Sequence, residues 1–145
     1  MQALATELAE VLAARLPERG LSVEESLAHR WTGPEIFLIV DDAELLPRGF
    51  DAPLHPLVNA ANAAAGVGLR IIYTRQFGGW AGNGADPLLA TMVQANAPLL
   101  VMDSDIDEGY VRGRWRGHPT PTGRGFLMTS AEGGTYVQVG AVPVG

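Results

Sequence analysis

Ile36-Phe37-Leu38-Ile39-Val40-Asp41-Asp42 is the stretch on which the fold turns. Five apolar residues, mostly β-branched or aromatic and without alternation, have the pattern of a strand buried on both faces, and two acids end it. A central parallel strand is the expectation. Upstream, Leu4, Leu8, Val11, Leu12 and Leu16 recur every three or four residues, which predicts one apolar helical face, and Pro17 with Gly20 closes that helix. Ser22 followed by Glu25 fits a capping box that opens a short second helix to about Arg30. Trp31-Thr32-Gly33-Pro34 then reads as a loop.

Downstream, Leu54, Leu57, Val58, Ala61 and Ala65 fall on one face of a helix from about Leu54 to Ala65, with Gly66 suited to its C-terminal stop. Gly68 to Thr74 reads as the next strand, and Phe77 to Gly84 as a glycine-rich loop. Asp86-Pro87 supplies a capping acid and a first-turn proline ahead of Leu88, Leu89, Met92 and Val93. A short strand over Leu99 to Met102, an acidic loop from Asp103 to Gly109, and a hairpin of Gly125–Thr129 with Thr135–Val139 complete the chain. Strands alternating with helices predict an α/β fold with a mainly parallel, doubly wound sheet, finished by an antiparallel hairpin.

At 145 residues and 47% hydrophobic, the chain is sized for one domain with a single core. Its net charge of −6 has the wrong sign for a phosphate backbone, so no nucleic-acid partner is expected. All ten basic residues are arginine, so no lysine is present for phosphate binding, Schiff-base chemistry or general-base work. With no cysteine, disulfides, thiolate metal sites and cysteine nucleophiles are excluded. The N-terminal segment carries Glu7 and Glu10 and lacks the basic start and compact apolar run of a signal peptide. Nowhere does the chain reach the roughly 20 consecutive apolar residues of a membrane helix, so direct membrane insertion of this segment is not expected.

Ile36 to Asp42 also has the form of a Walker B motif, at the carboxyl edge of a strand where α/β sheets place their ligands. In that chemistry the first acid, Asp41, holds magnesium through its water shell, and the next, Asp42, orients the attacking water. Acids after a buried strand are also common in ordinary loops. The partner motif G-x-x-x-x-G-K-[ST] is absent because the chain has no lysine. Either the phosphate-binding half of the domain lies before residue 1, which the order helix, Walker B, strand favours, or the protein never hydrolyses ATP.

Three weaker signals are set aside. Asp103, Asp105 and Asp107 start like a calcium loop, but Glu108 stands at its glycine position and Arg114 at its closing glutamate. Arg112, Arg114 and Arg116 flank Trp115, and pairing with the acidic loop or a contact with a neighbouring module is expected of them rather than single-stranded nucleic acid. His29, His55 and His118 show no metal spacing.

Over the whole chain, Trp31 to Asp42, Val67-Gly68-Leu69-Arg70, Gly78-Gly79, Asp86-Pro87, Asp107-Glu108-Gly109 and Pro121 to Gly125 occur in an order that resembles the last ATPase domain of the EccC family. These are the FtsK/SpoIIIE-type motors of type VII (ESX) secretion in actinobacteria. The resemblance covers about Leu12 to Val139. It implies a partial P-loop NTPase (RecA-like) parallel sheet with helices on both faces and a C-terminal β-hairpin, lacking the P-loop half, so that residues 1–145 are the C-terminal portion of one ATPase domain. It further implies ATP and Mg2+ as cofactors of the complete domain, with tight binding not expected of this segment alone. The implied partners are other ATPase modules of the same motor and small helical WXG-type substrates. The implied place is the cytoplasmic face of the inner membrane, as part of a larger complex.

Within that resemblance, Thr74 and Arg75 follow the strand after the Walker B strand, where a residue that senses the γ-phosphate is placed. Gln76 stands where the family usually has a second arginine, and Trp80-Ala81-Gly82-Asn83-Gly84 where a basic residue is common. Two other readings stay open. One is a non-catalytic docking module that binds a helix through apolar faces near Leu54–Val58 or Leu88–Val93. The other is a domain of a nucleotide-regulated switch unrelated to secretion.

Overall fold

A computed structural model describes residues 1–17, 24, 30–78, 86–112, 115–129 and 133–140. The chain divides into two compact units, Met1–Gln76 with Ala85–Met92, and Phe77–Gly84 with Val93–Gly145. Apart from residues 24 and 30, the short helix expected over 22–30 lies outside the described residues, as does the glycine-rich loop after Gly78.

The first unit opens with helix α1 (Gln2–Ala13), and its core-facing stripe differs from the expected one. Ala5 and Leu12 are buried, with Leu8 and Ala9 packed beside them, while Leu4, Val11 and Leu16 face out. The period was right and the phase was not, because two alanines let the helix lie close to its neighbours on a face that leucine counting undervalues. Strand β1 (Ile36–Val40) pairs in parallel with β2 (Leu69–Tyr73), in a register that sets Ile36 beside Leu69 and Val40 beside Tyr73.

Burial on β1 alternates. Ile36, Leu38 and Val40 point into a core shared with Leu12, Leu57, Val67, Leu69 and Leu88, while Phe37 is 62% and Ile39 66% exposed, beside a half-exposed Ile72. The expectation of burial on both faces is corrected here. The pleat sends every second side chain to the far face, and among the described residues that face is open to solvent.

Between the strands, the single helix expected over 54–65 is broken into a 3-10 turn at His55–Leu57, helix α2 (Val58–Asn62) and helix α3 (Ala64–Val67). The break comes where the Ala63 amide donates three residues back, to Ala60 O at 3.2 Å, tightening the turn. The stop is Gly68, at φ 69°, and not Gly66. A methyl group on Gly68 would come 2.5 Å from Trp31 Cδ1, so glycine is required twice over. Trp31 itself donates from its amide to Gly66 O at 2.8 Å and from Nε1 to Pro34 O at 2.9 Å, with the Arg15 guanidinium 4.1 Å above the ring. Helix α4 (Pro87–Gln94) begins as expected, with Asp86 Oδ1 accepting from the Leu89 amide at 3.0 Å.

In the second unit, β3 (Leu99–Val101), which the alternation of strands and helices would add to a mainly parallel sheet, runs antiparallel to β6 (Arg124–Met128), its hydrogen-bond partner. Strand β7 (Gly134–Gln138) returns along β6 with Met128 opposite Gly134, the hairpin the sequence implied. Strands β4 (Tyr110–Arg112) and β5 (Trp115–Arg116) form a small hairpin that was read only as a basic and aromatic patch. Trp115 stacks on Phe126 at 5.1 Å, and Tyr136 meets Phe126 edge-on at 5.0 Å.

Candidate functional site

Where β1 and β2 end side by side, their outgoing loops meet. The parallel register sets Val40 against Tyr73, so Asp41 and Thr74 leave the sheet as neighbours. The Thr74 hydroxyl donates to Asp41 Oδ1 and accepts from the Asp42 amide at 3.2 Å. The backbone joins in: the Thr74 amide donates to Val40 O at 2.8 Å, and the Ala43 amide to Thr74 O at 3.0 Å.

Asp42 adopts φ 49° and ψ 48°, a left-handed conformation that asparagine and aspartate tolerate better than most residues. It turns the chain sharply into the 3-10 turn Ala43–Leu45. Asp41, Asp42 and Thr74 are all exposed. The structure therefore gathers three of the four residues singled out from the sequence. Arg75 is next in the chain and donates from Nε to Gln76 O at 3.2 Å.

Glu44 escaped the sequence reading. Its Oε2 accepts from the Gln76 amide at 3.1 Å, so the two loops are bonded at a second point. A third acid one short turn beyond an Asp-Asp pair was the available signal. Behind the site, the Tyr73 hydroxyl donates to Asp86 Oδ2, and burial together with that bond pushes the phenol well above its ordinary value.

Two exposed carboxylates and a hydroxyl at a strand's carboxyl edge suit a hydrated magnesium ion, which takes oxygen ligands and keeps several waters. The phosphate cradle such an ion serves needs a lysine that this chain does not contain. Among the described residues no group of three or more His, Cys, Asp or Glu side chains is gathered to cage a metal.

Elsewhere the other candidates have structural partners. Asp103 Oδ1 accepts from the Ser104 and Thr120 amides, and Asp105 Oδ1 from the Asp107 amide. Arg112 and Arg116 do not pair with this acidic loop as expected: Arg112 is buried and donates to Ala97 O at 2.8 Å, and Arg116 lies over the Tyr110 ring at 4.4 Å. Arg114 and His29 lie outside the described residues. His118 bonds to the Tyr136 hydroxyl at 3.0 Å. The apolar residues offered for helix docking are largely core, since Leu54, Leu57, Leu88 and Leu89 are buried. No helix among the described residues is long and apolar enough to cross a membrane.

No family model matches the chain. It is 56% identical over 145 residues, 99% of its length, to the ESX-5 secretion system protein EccC5 of Mycobacterium marinum. It is 33% identical over 136 residues to the ESX secretion system protein EccC of Thermomonospora curvata, covering 93% of this chain. The chain spans 10% of the length of each of these curated relatives. Among solved structures, one described as an ATPase matches with a TM-score of 0.83 at 57% identity, over 97% of this chain and 52% of that one. Thermomonospora curvata EccC (ATPases 2 and 3) in complex with a signal sequence peptide matches with a TM-score of 0.85 at 31% identity, over 99% of this chain and 26% of that one.

Proposed function

This chain belongs to the EccC family of ESX secretion ATPases, and from that premise we propose that it forms the acidic side of a nucleotide site in a type VII secretion motor. The observation that carries the reading is the junction of Asp41, Asp42 and Thr74 at the carboxyl ends of two parallel strands. Asp41 holds hydrated magnesium, Asp42 orients the attacking water, Thr74 senses the terminal phosphate, and Arg75 reaches the same nucleotide or that of a neighbouring module. ATP with magnesium supplies the hydrolysable phosphoanhydride, and the lysine-bearing cradle comes from outside this sequence. This chain alone is therefore inactive.

The same reading makes the module a participant in recognition and export of small helical WXG-type substrates. It works beside other ATPase modules, on the cytoplasmic side of the inner membrane. The similarity to an EccC structure that holds a signal sequence peptide supports the substrate part.

The test is titration of the full EccC-type protein that contains this chain with a fluorescent ATP analogue and magnesium. Magnesium-dependent binding that Asp41→Ala weakens by about tenfold or more is expected. Undiminished binding in the folded variant overturns the assignment of Asp41.

A further inference from the structure

We propose that Glu44 is a positioning residue that fixes Arg75 at the nucleotide face, an inference that rests on the reading above. Thr74, Arg75 and Gln76 leave β2 as one short segment. Its first residue is anchored four ways, to Val40 O, the Ala43 amide, the Asp42 amide and Asp41 Oδ1. Its third residue is anchored by Glu44, whose carboxylate takes the Gln76 amide at 3.1 Å from 32 positions away in sequence. Arg75 sits between two pinned neighbours, and its own Nε donates to the Gln76 carbonyl at 3.2 Å. Glu44 therefore holds the Arg75–Gln76 peptide, on which Arg75 is carried, and through it the residue whose carbonyl the guanidinium bonds.

A charged acceptor for a backbone amide is stronger than a neutral one, and Glu44 is only partly buried. The bond is thus accessible to change without emptying the core. Glu44 touches neither the magnesium position nor the attacking water in this reading; it acts through the loop.

The experiment uses the full EccC-type protein containing this chain, with Glu44→Ala, Glu44→Gln, Arg75→Ala, Glu44→Ala/Arg75→Ala and Asp41→Ala. Two readouts are taken: amide hydrogen exchange of a peptide spanning residues 74–78, and affinity for a fluorescent ATP analogue with magnesium. Glu44→Ala is expected to speed exchange at the Gln76 amide by about tenfold and to weaken nucleotide binding by the same factor as Arg75→Ala, with the double variant no weaker than Arg75→Ala alone. Glu44→Gln, which keeps an oxygen acceptor, restores both to within about twofold. Faster exchange in Glu44→Ala with unchanged affinity overturns the proposal and leaves Glu44 a loop tie. Effects that multiply in the double variant overturn it as well, by showing that the two residues act independently. Unchanged affinity in Asp41→Ala removes the nucleotide reading itself, and the proposal with it.

Discussion

Asp42 shows how a single residue can serve geometry and charge at once. Its left-handed backbone is tolerated by aspartate and asparagine and costs most other residues on the order of 1 kcal/mol. Asp42→Ala should lower stability by about that amount in urea unfolding, while Asp42→Asn should stay near wild type and remove only the charge. Arg112 presents the opposite case. It is 8% exposed, one nitrogen donates to Ala97 O, Nε and Nη1 are buried without hydrogen-bond partners among the described residues, and burial pulls the guanidinium below its ordinary value. Leaving such donors unpaired costs roughly 1–3 kcal/mol, so Arg112→Met should raise the thermal midpoint. An unchanged or lower midpoint would show that the stem's packing outweighs the unpaired donors.

At the scale of elements, the phase of α1 is open to direct test. Leu12 is fully buried and Val11 half exposed. Leu12→Ala should cost about 2–5 kcal/mol and Val11→Ala less than about 0.5 kcal/mol, as read by chemical denaturation. Equal costs would restore the leucine stripe expected from spacing. The tie from β2 to α4 carries a pH signature. The Tyr73 phenol is raised above its ordinary 10.0 by burial and by Asp86, so the folded state keeps a proton that the unfolded state loses. Stability from this group is complete below pH 10 and declines as pH climbs through the raised value, and Tyr73→Phe should flatten that alkaline slope in pH-dependent melts. Strand positions were legible because β1, β2 and the β6–β7 hairpin are continuous apolar or alternating runs bounded by acids and glycines. Partnership was not. Nothing local in Leu99–Val101 tells an edge of the parallel sheet from a neighbour of β6, and the Gly66 stop failed because only Trp31, far upstream, singles out Gly68.

For the whole molecule, the candidate site residues were more legible in the sequence than burial was. Asp41 and Asp42 stand out in the sequence because a strand-end acid pair is a chemical signature, and Thr74 because of its place after the next strand in the family resembled; the parallel register makes the three neighbours. Glu44 was missed because its partner, a backbone amide, leaves no trace in sequence. Phe37 and Ile39 were misplaced because a strand reads the same whether one face or both are covered. The open apolar face they form with Ile72 predicts concentration-dependent self-association of this chain, reduced by Phe37→Thr with Ile39→Thr and read by sedimentation velocity. Monodisperse behaviour of the unsubstituted chain at high concentration would refute it. Trp31 rests on Gly68 under Arg15 in the first unit, and Trp115 stacks on Phe126 in the second, so each unit holds its own indole. With Trp80 changed to phenylalanine, removing either indole leaves an optical reporter confined to one half, and the emission of each dye-free protein then records whether the two halves melt together or in turn.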